Sequence, residues 1–234
     1  MTRQEFDAHA HSYQKVLDES IGFSGEDSAY FSEYKIRDLR HELARSGRDV
    51  ETALRLMDFG CGVGASMPHA RKHFGKAELL GVDVSMESLE QARKHHGQLA
   101  SFLVLEGSNA WPAEVASLDA AYAMCVFHHV DERSHIRLLV DIRQRLKSGG
   151  MMMVYEHNPF NPLTVRVVNN CPFDANAKLI RASVMAQRCR DAGFQDVRVQ
   201  YRVFFPGFLK AFRFAERLLS WLPLGGQYYV RGFA

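Results

Sequence analysis

Four groups of residues in this 234-residue chain carry chemistry by their types and spacing: Asp58-Phe59-Gly60-Cys61-Gly62-Val63-Gly64, Asp83, His128-His129 and Glu156-His157-Asn158. The first is a glycine run between an apolar stretch at 54–59 and a helical pattern. Glycines there permit positive φ and let a ligand touch the backbone. The helix N-terminus that follows adds free N–H donors. Gly60-x-Gly62-x-x-Ala65 also satisfies the dinucleotide fingerprint, so the glycines alone fit two kinds of ligand. Asp58 separates them: a carboxylate beside the first glycine repels a pyrophosphate and suits a ligand bearing an ammonium group. Asp83 lies 25 residues further on and ends the next apolar stretch. An acid there can accept hydrogen bonds from both hydroxyls of a ribose. The alternative reading makes both aspartates helix caps.

His128-His129 follows the fourth apolar stretch, at the end of the sheet where ligands gather. A neutral imidazole has a suitable ordinary pKa for a general base. The pair serves equally well to position its loop. Glu156-His157-Asn158 follows the fifth stretch, and Pro159, Asn161 and Pro162 stiffen what comes next. Glu156 or His157 acts on a substrate there, or both hold the loop by hydrogen bonds. Cys61, Cys125, Cys171 and Cys189 show no paired spacing and no Cys/His ligand pattern, which suggests neither a disulfide framework nor a zinc site.

The elements that must carry these groups alternate along the chain. Residues 5–46 read as helical, with Ser24 and Asp27 as a capping signal and Tyr30, Phe31, Tyr34, Ile36, Leu39 and Leu43 on one face. Strands are expected at 54–59, 79–82, 101–105, 119–125, 151–155, 196–203 and 227–231, and helices up to 74 and over 85–96, 133–146 and 179–192. Ser148-Gly149-Gly150 reads as a break and 158–161 as a loop. Such alternation implies one α/β domain with helices on both faces of a mostly parallel sheet. The stretch 204–224 is unusual. Phe208, Phe212, Ala215, Leu219 and Leu222 follow helical spacing, with Lys210, Arg213 and Arg217 elsewhere on the wheel. It packs on the sheet as core, lines an apolar substrate pocket, or touches a membrane or a lipid-linked substrate.

Hydrophobic residues make up 47% of the chain, enough for one sizeable core, and the net charge of +2 gives no global case for nucleic acid. The charge is uneven: residues 175–234 carry ten Lys/Arg against three acids, or +7, leaving −5 for the rest. That fits a solvated basic face or attraction to an anionic substrate or membrane surface. The start, MTRQEFDAHAHSYQ, has no apolar run, and no stretch reaches membrane-spanning length, so a cytoplasmic location is expected.

DFGCGVG followed by LLGVDVSMESLEQARKH resembles the first two motifs of class I S-adenosylmethionine-dependent methyltransferases. The resemblance continues through FLVLEGS, LDAAYAMCVFHHV and RLKSGGMMMVYE, and so covers about 54–156. It implies a Rossmann-like seven-stranded sheet with the last strand antiparallel, and S-adenosylmethionine as cofactor. Asp58, Gly60, Gly62 and Gly64 would line the methionine moiety, and Asp83 would hold the ribose. Val84 and Met86 would flank the adenine, and Cys125 and Val126 would sit near the sulfonium. Where the family often has Gly-Asp, this chain has Gly107-Ser108-Asn109, so Ser108 or Asn109 takes the adenine contact. Phe6-Asp7 and Tyr13 resemble the start of many small-molecule methyltransferases, where the segment up to about residue 50 folds over the cofactor as a lid. Tyr13 would then contact the methionine end and Lys35 its carboxylate. EHNPFNPLT…NNCPFD resembles a group of bacterial methyltransferases associated with polysaccharide and secondary-metabolite gene clusters.

The expectation is methyl transfer, in line and without a metal, to oxygen or nitrogen of a small molecule or a glycan or lipid-linked precursor, with peripheral membrane contact through 204–224. The rivals are an NAD-linked oxidoreductase and a module that holds S-adenosylmethionine without reacting.

Overall fold

Two apolar runs form the centre of a seven-stranded sheet: β1 (Arg55–Phe59) and β4 (Leu118–Met124) are hydrogen-bonded neighbours, almost wholly buried. Strands buried on both faces read as continuous apolar sequence, and helices must cover them. The computed structural model describes residues 21–22, 25–105, 111–112, 115–174 and 176–234. The other strands are β2 (Glu78–Asp83), β3 (Ser101–Val104), β5 (Leu146–His157), β6 (Gln195–Arg202) and β7 (Gln227–Phe233), in the order β3-β2-β1-β4-β5-β7-β6. All pairs are parallel except those of β7, which runs antiparallel to β5 and β6. The strand order reverses between β1 and β4, and in such sheets the carboxyl ends at that point open into a ligand crevice.

Helices α1 (Ser28–Arg45), α2 (Met67–His73) and α3 (Met86–His96) cover one face, and α4 (His135–Arg143) and α6 (Ala182–Asp191) the other. The described part of the expected lid also forms a core layer. Ile36, Leu39 and Leu43 of α1 are fully buried among Leu54, Leu56 and Met151, each burial stabilising by about 1.5–3 kcal/mol. Asp27 itself caps α1, its carboxylate accepting from the Tyr30 N–H at 2.7 Å; Ser24 and Tyr13 lie outside the described residues.

Three other expectations change. The helix expected over 133–146 is a 3₁₀ turn (Glu132–Ser134) followed by the shorter α4. Ser148-Gly149-Gly150 does not end a helix. It lies inside β5, where Gly149 takes φ +70° and Leu118 pairs with Leu146 before the register shifts. Helix α5 (Pro162–Asn170) follows the proline loop, started by Pro162 and by the Asn161 side chain accepting from the Thr164 N–H at 3.0 Å.

The stretch 204–224 is not core. It forms a 3₁₀ segment (Gly207–Ala215), kinked at Leu209, and a short helical turn (Glu216–Leu219). Phe208, Phe214 and Trp221 are 81%, 81% and 73% exposed. Its base is tied down: the buried Glu216 carboxylate accepts from the Phe204 and Phe205 N–H groups at 3.0 and 3.3 Å and from the Tyr34 hydroxyl at 2.5 Å. The Gly226 N–H donates to the Val203 carbonyl at 2.9 Å and closes the insertion.

Candidate functional site

The carboxyl ends of β1, β2, β4 and β5, with α1 and the base of the insertion above them, enclose a cavity of about 610 Å³. That is the size of a ligand site. Its walls hold Asp58, Gly60, Gly62, Asp83, Val84, Cys125, Val126, His128, His129 and His157 from the sequence reading. They also hold Lys35 of α1.

The glycine loop leaves β1 by a sharp turn. Gly60 has φ +73°, and a Cβ there would meet Val126 Cγ1 at 2.6 Å, so only glycine lets β1 and the end of β4 close together. Gly62 has φ +52° and nothing within 4 Å of where a Cβ would stand, leaving bare backbone against the cavity. Gly64 differs from expectation: a Cβ there would meet His96 and Phe102 at 3.2 Å, so it packs the back of the loop and does not line the cavity. Met86 is also absent from the cavity wall and is 46% exposed, because it opens α3 and projects outward. Ser108 and Asn109 lie outside the described residues.

Asp58 is buried beneath the loop and accepts a hydrogen bond from Ser66 Oγ. Burial pushes its carboxyl up to about 7, and the charge on Asp83 adds to this, while Ser66 and the Lys35 ammonium pull the other way. Asp83 accepts from the Gly62 N–H at 2.8 Å and the Ser85 N–H at 2.9 Å, which ties the loop to the start of α3. Lys35 is nearly buried, and its Nζ lies 3.3 Å from Cys125 Sγ. Lys35, which the family resemblance assigned to a carboxylate, thus reaches the cavity wall from α1.

Cys125 ends β4 with φ +61°, a left-handed conformation that costs a non-glycine residue of order 1 kcal/mol. Burial raises its thiol, but Lys35 and His157 lower it further, to about 7. The turn aims the next two N–H groups at one carboxylate: Glu156 Oε1 accepts from Val126 at 3.1 Å and Phe127 at 2.8 Å. Glu156 Oε2 takes His128 Nδ1 at 2.5 Å, and His128 Nε2 faces Asp174 Oδ1 at 3.3 Å.

Of the two sequence readings, this arrangement favours the one in which His128 and Glu156 hold the loop by hydrogen bonds. Burial alone would depress the His128 imidazole, but the two carboxylates outweigh it and raise it to about 10. Burial likewise opposes the Glu156 charge, and His128 more than offsets that, so its carboxyl is held below the usual range. Both ring nitrogens of His128 thus face carboxylates. His129 faces the same Asp174 oxygen at 3.3 Å, and its imidazole is depressed by burial. His157, the last residue of β5, is half-buried on the cavity wall, its ring 5.3 Å from that of His128.

The residues fit S-adenosylmethionine by their chemistry. Buried Asp58 matches an ammonium, Lys35 a carboxylate, bare Gly62 a ligand pressed on backbone, and Asp83 at the end of β2 a ribose.

Residues 56–150 match a family model described as a methyltransferase domain. A trans-aconitate 2-methyltransferase of Azoarcus sp. (strain BH72) is 27% identical over 167 residues, covering 71% of this chain and 63% of that protein. An S-adenosylmethionine-dependent methyltransferase of Thermotoga maritima superposes with TM-score 0.66 at 20% identity over 99% of both chains. One of Archaeoglobus fulgidus superposes with TM-score 0.60 at 17% identity, over 89% of this chain and 100% of that one. At such identities the structures share the fold. The chain spans 63% and 49% of the length of the first two curated relatives it matches.

Proposed function

We propose that the chain is a class I S-adenosylmethionine-dependent methyltransferase that methylates an oxygen or nitrogen of a small molecule or of a glycan or lipid-linked precursor. The observation that carries this reading is the pairing of buried Asp58 and Lys35 on one cavity wall: two opposite charges for the two ends of an amino acid. When bound, S-adenosylmethionine supplies an electrophilic methyl group on a sulfonium, open to in-line displacement. Asp58 and Lys35 hold the amino-acid end, Gly60 and Gly62 let the backbone approach it, Asp83 takes the ribose and Val84 flanks the adenine. Cys125 and Val126 form the floor at the end of β4. Alignment supplies most of the rate, and His157 takes the acceptor's proton where one must leave. Glu156 and His128 act as positioning residues that hold the loop in shape.

Calorimetry with S-adenosylhomocysteine and with NAD tests the donor. Binding of S-adenosylhomocysteine alone is expected; binding of NAD alone overturns the reading. Tight S-adenosylhomocysteine binding with no methyl loss over a broad acceptor panel leaves a non-catalytic module. In the same assay His157→Asn is expected to bind S-adenosylhomocysteine as the wild type does and to lose turnover, and retained turnover removes the proposed base.

The insertion supports an apolar or lipid-linked acceptor. Phe204, Phe205 and Pro206 line the cavity, and the Phe205 ring lies 6.0 Å from that of Phe212, on the exposed side. Phe208, Phe214, Leu218 and Trp221 extend that apolar surface, with Lys210 and Arg217 nearby in sequence. No helix among the described residues is long and apolar enough to cross a membrane. The insertion instead lies on an anionic surface, its aromatic rings in the headgroup boundary. Flotation with anionic liposomes is expected for the wild type and lost in a Phe208→Ala/Trp221→Ala chain. Equal, negligible flotation of both sinks the membrane contact and leaves the cavity reading standing.

A further inference from the structure

On the cavity wall, His128, His129 and Asp174 each offer one ligand atom, all within 4.8 Å of one another. Asp174 Oδ1 lies 3.3 Å from His128 Nε2 and 3.3 Å from His129 Nε2. Tetrahedral ligands about 2.0–2.1 Å from a Zn²⁺-type cation stand about 3.3–3.4 Å apart. Two edges of the triangle therefore already have coordination spacing. The third edge, between the two imidazoles, is within 4.8 Å, and the rings sit 4.1 Å apart at 50°.

The surroundings of His128 point the same way. Glu156 Oε2 sits on Nδ1 at 2.5 Å, and Glu156 is itself anchored by the Val126 and Phe127 N–H groups. A carboxylate behind an imidazole fixes the ring and presents the opposite nitrogen to a metal, the arrangement that supports most histidine ligands. All three candidate ligands line the cavity, so a fourth coordination position opens into it. Glu156 and Asp174 together carry the two negative charges that balance a dication.

We propose that His128 Nε2, His129 Nε2 and Asp174 Oδ1 bind a divalent transition-metal cation of the Zn²⁺ class, whose open position takes an oxygen of the acceptor. The metal site stands on its own geometry; only the acceptor oxygen rests on the methyltransfer reading. Imidazole and carboxylate ligands with an open position suit Zn²⁺, Fe²⁺ or Mn²⁺ far better than Mg²⁺, which prefers six oxygen ligands. The three residues are adjacent or 45 apart in the chain, which is why no sequence spacing marks them.

The test is calorimetric titration of chelator-treated protein with ZnCl₂, with Co²⁺ absorption as a report on geometry. His69 and His73, which lie beside Glu33 on the surface, are replaced by alanine in every sample to remove a competing site. One equivalent of Zn²⁺ is expected, with a tetrahedral Co²⁺ spectrum and no heat from MgCl₂. Asp174→Asn keeps the shape of the side chain and is expected to weaken Zn²⁺ at least 100-fold. His129→Gln does the same and serves if Asp174→Asn does not fold. No binding to the wild type, or binding unchanged in the folded variants, overturns the site and leaves His128 as an imidazolium clamped by two carboxylates. S-adenosylhomocysteine is titrated into the same metal-free samples. Its binding there keeps the donor reading intact whatever the metal does, and its failure to bind leaves the metal result standing.

Discussion

Asp58→Asn is expected to yield a chain that is more stable without ligand and that no longer holds the methyl donor. The carboxyl is buried, and its value in the folded chain is about 7, against an ordinary 3.8. A folded-state value above the unfolded one means that the protonated form is favoured by folding. The ligand-free protein therefore loses stability as pH rises from about 4 through 7. At pH 8 the full difference of about three units amounts to as much as about 4 kcal/mol. Asparagine removes that dependence and still accepts a hydrogen bond from Ser66 Oγ. In thermal melts the wild type should fall away from the variant between pH 5 and 8, at roughly 2–4 °C per kcal/mol for a chain of this size.

Ligand binding should respond in the opposite sense. An ammonium on the Asp58 carboxylate favours the charged form, so S-adenosylhomocysteine affinity of the wild type weakens below pH 7, approaching tenfold per unit. Losing one member of a buried charged pair costs about 2–5 kcal/mol. The variant should thus bind some thirtyfold to several thousandfold more weakly at pH 8, with no pH slope. Wild-type affinity in the variant would remove Asp58 from the donor site.

Glu156→Ala is expected to be the most damaging substitution at this end of the sheet. Glu156 is fully buried and accepts three hydrogen bonds, from Val126 N–H, Phe127 N–H and His128 Nδ1. Removing it leaves two N–H donors and a buried imidazole without their partner, a loss of about 3–5 kcal/mol. The melting temperature should drop by of order 10 °C. Glu156→Gln keeps an acceptor for the N–H groups and gives up only the charge, so it should fall between the two. A loss below about 1 kcal/mol in Glu156→Ala would show that the loop after β4 is held by something else.

The sheet was legible because its strands are apolar runs of the right length, separated by turn signals, and each observed strand core falls inside or overlaps an expected one. The glycine loop was legible because the turn out of β1 demands positive φ at Gly60 and Gly62. Three things were not. Helix α5 was hidden by Pro159 and Pro162, although Pro162 at a first helical position is itself a start signal. The period of Phe208, Phe212 and Leu219 reveals a stripe but cannot say whether any surface exists to cover it, and the fold leaves it mostly open. Finally, the clamp on His128 joins residues 28 and 46 positions away. Pairings over such distances follow from strand order, and no local pattern encodes them.

The insertion leaves the sheet where Gly226 N–H bonds to the Val203 carbonyl and Asn158 N–H to the Gly226 carbonyl, and it is tied back through Glu216 to Tyr34, Arg213 to Glu26 and Leu224 to Asn161. The outward side chains between those ties, Phe208, Phe214, Leu218 and Trp221, can therefore change while β6 and β7 keep their register. Drift at those four positions is decoupled from the packing that holds Glu216 and the cavity wall in place.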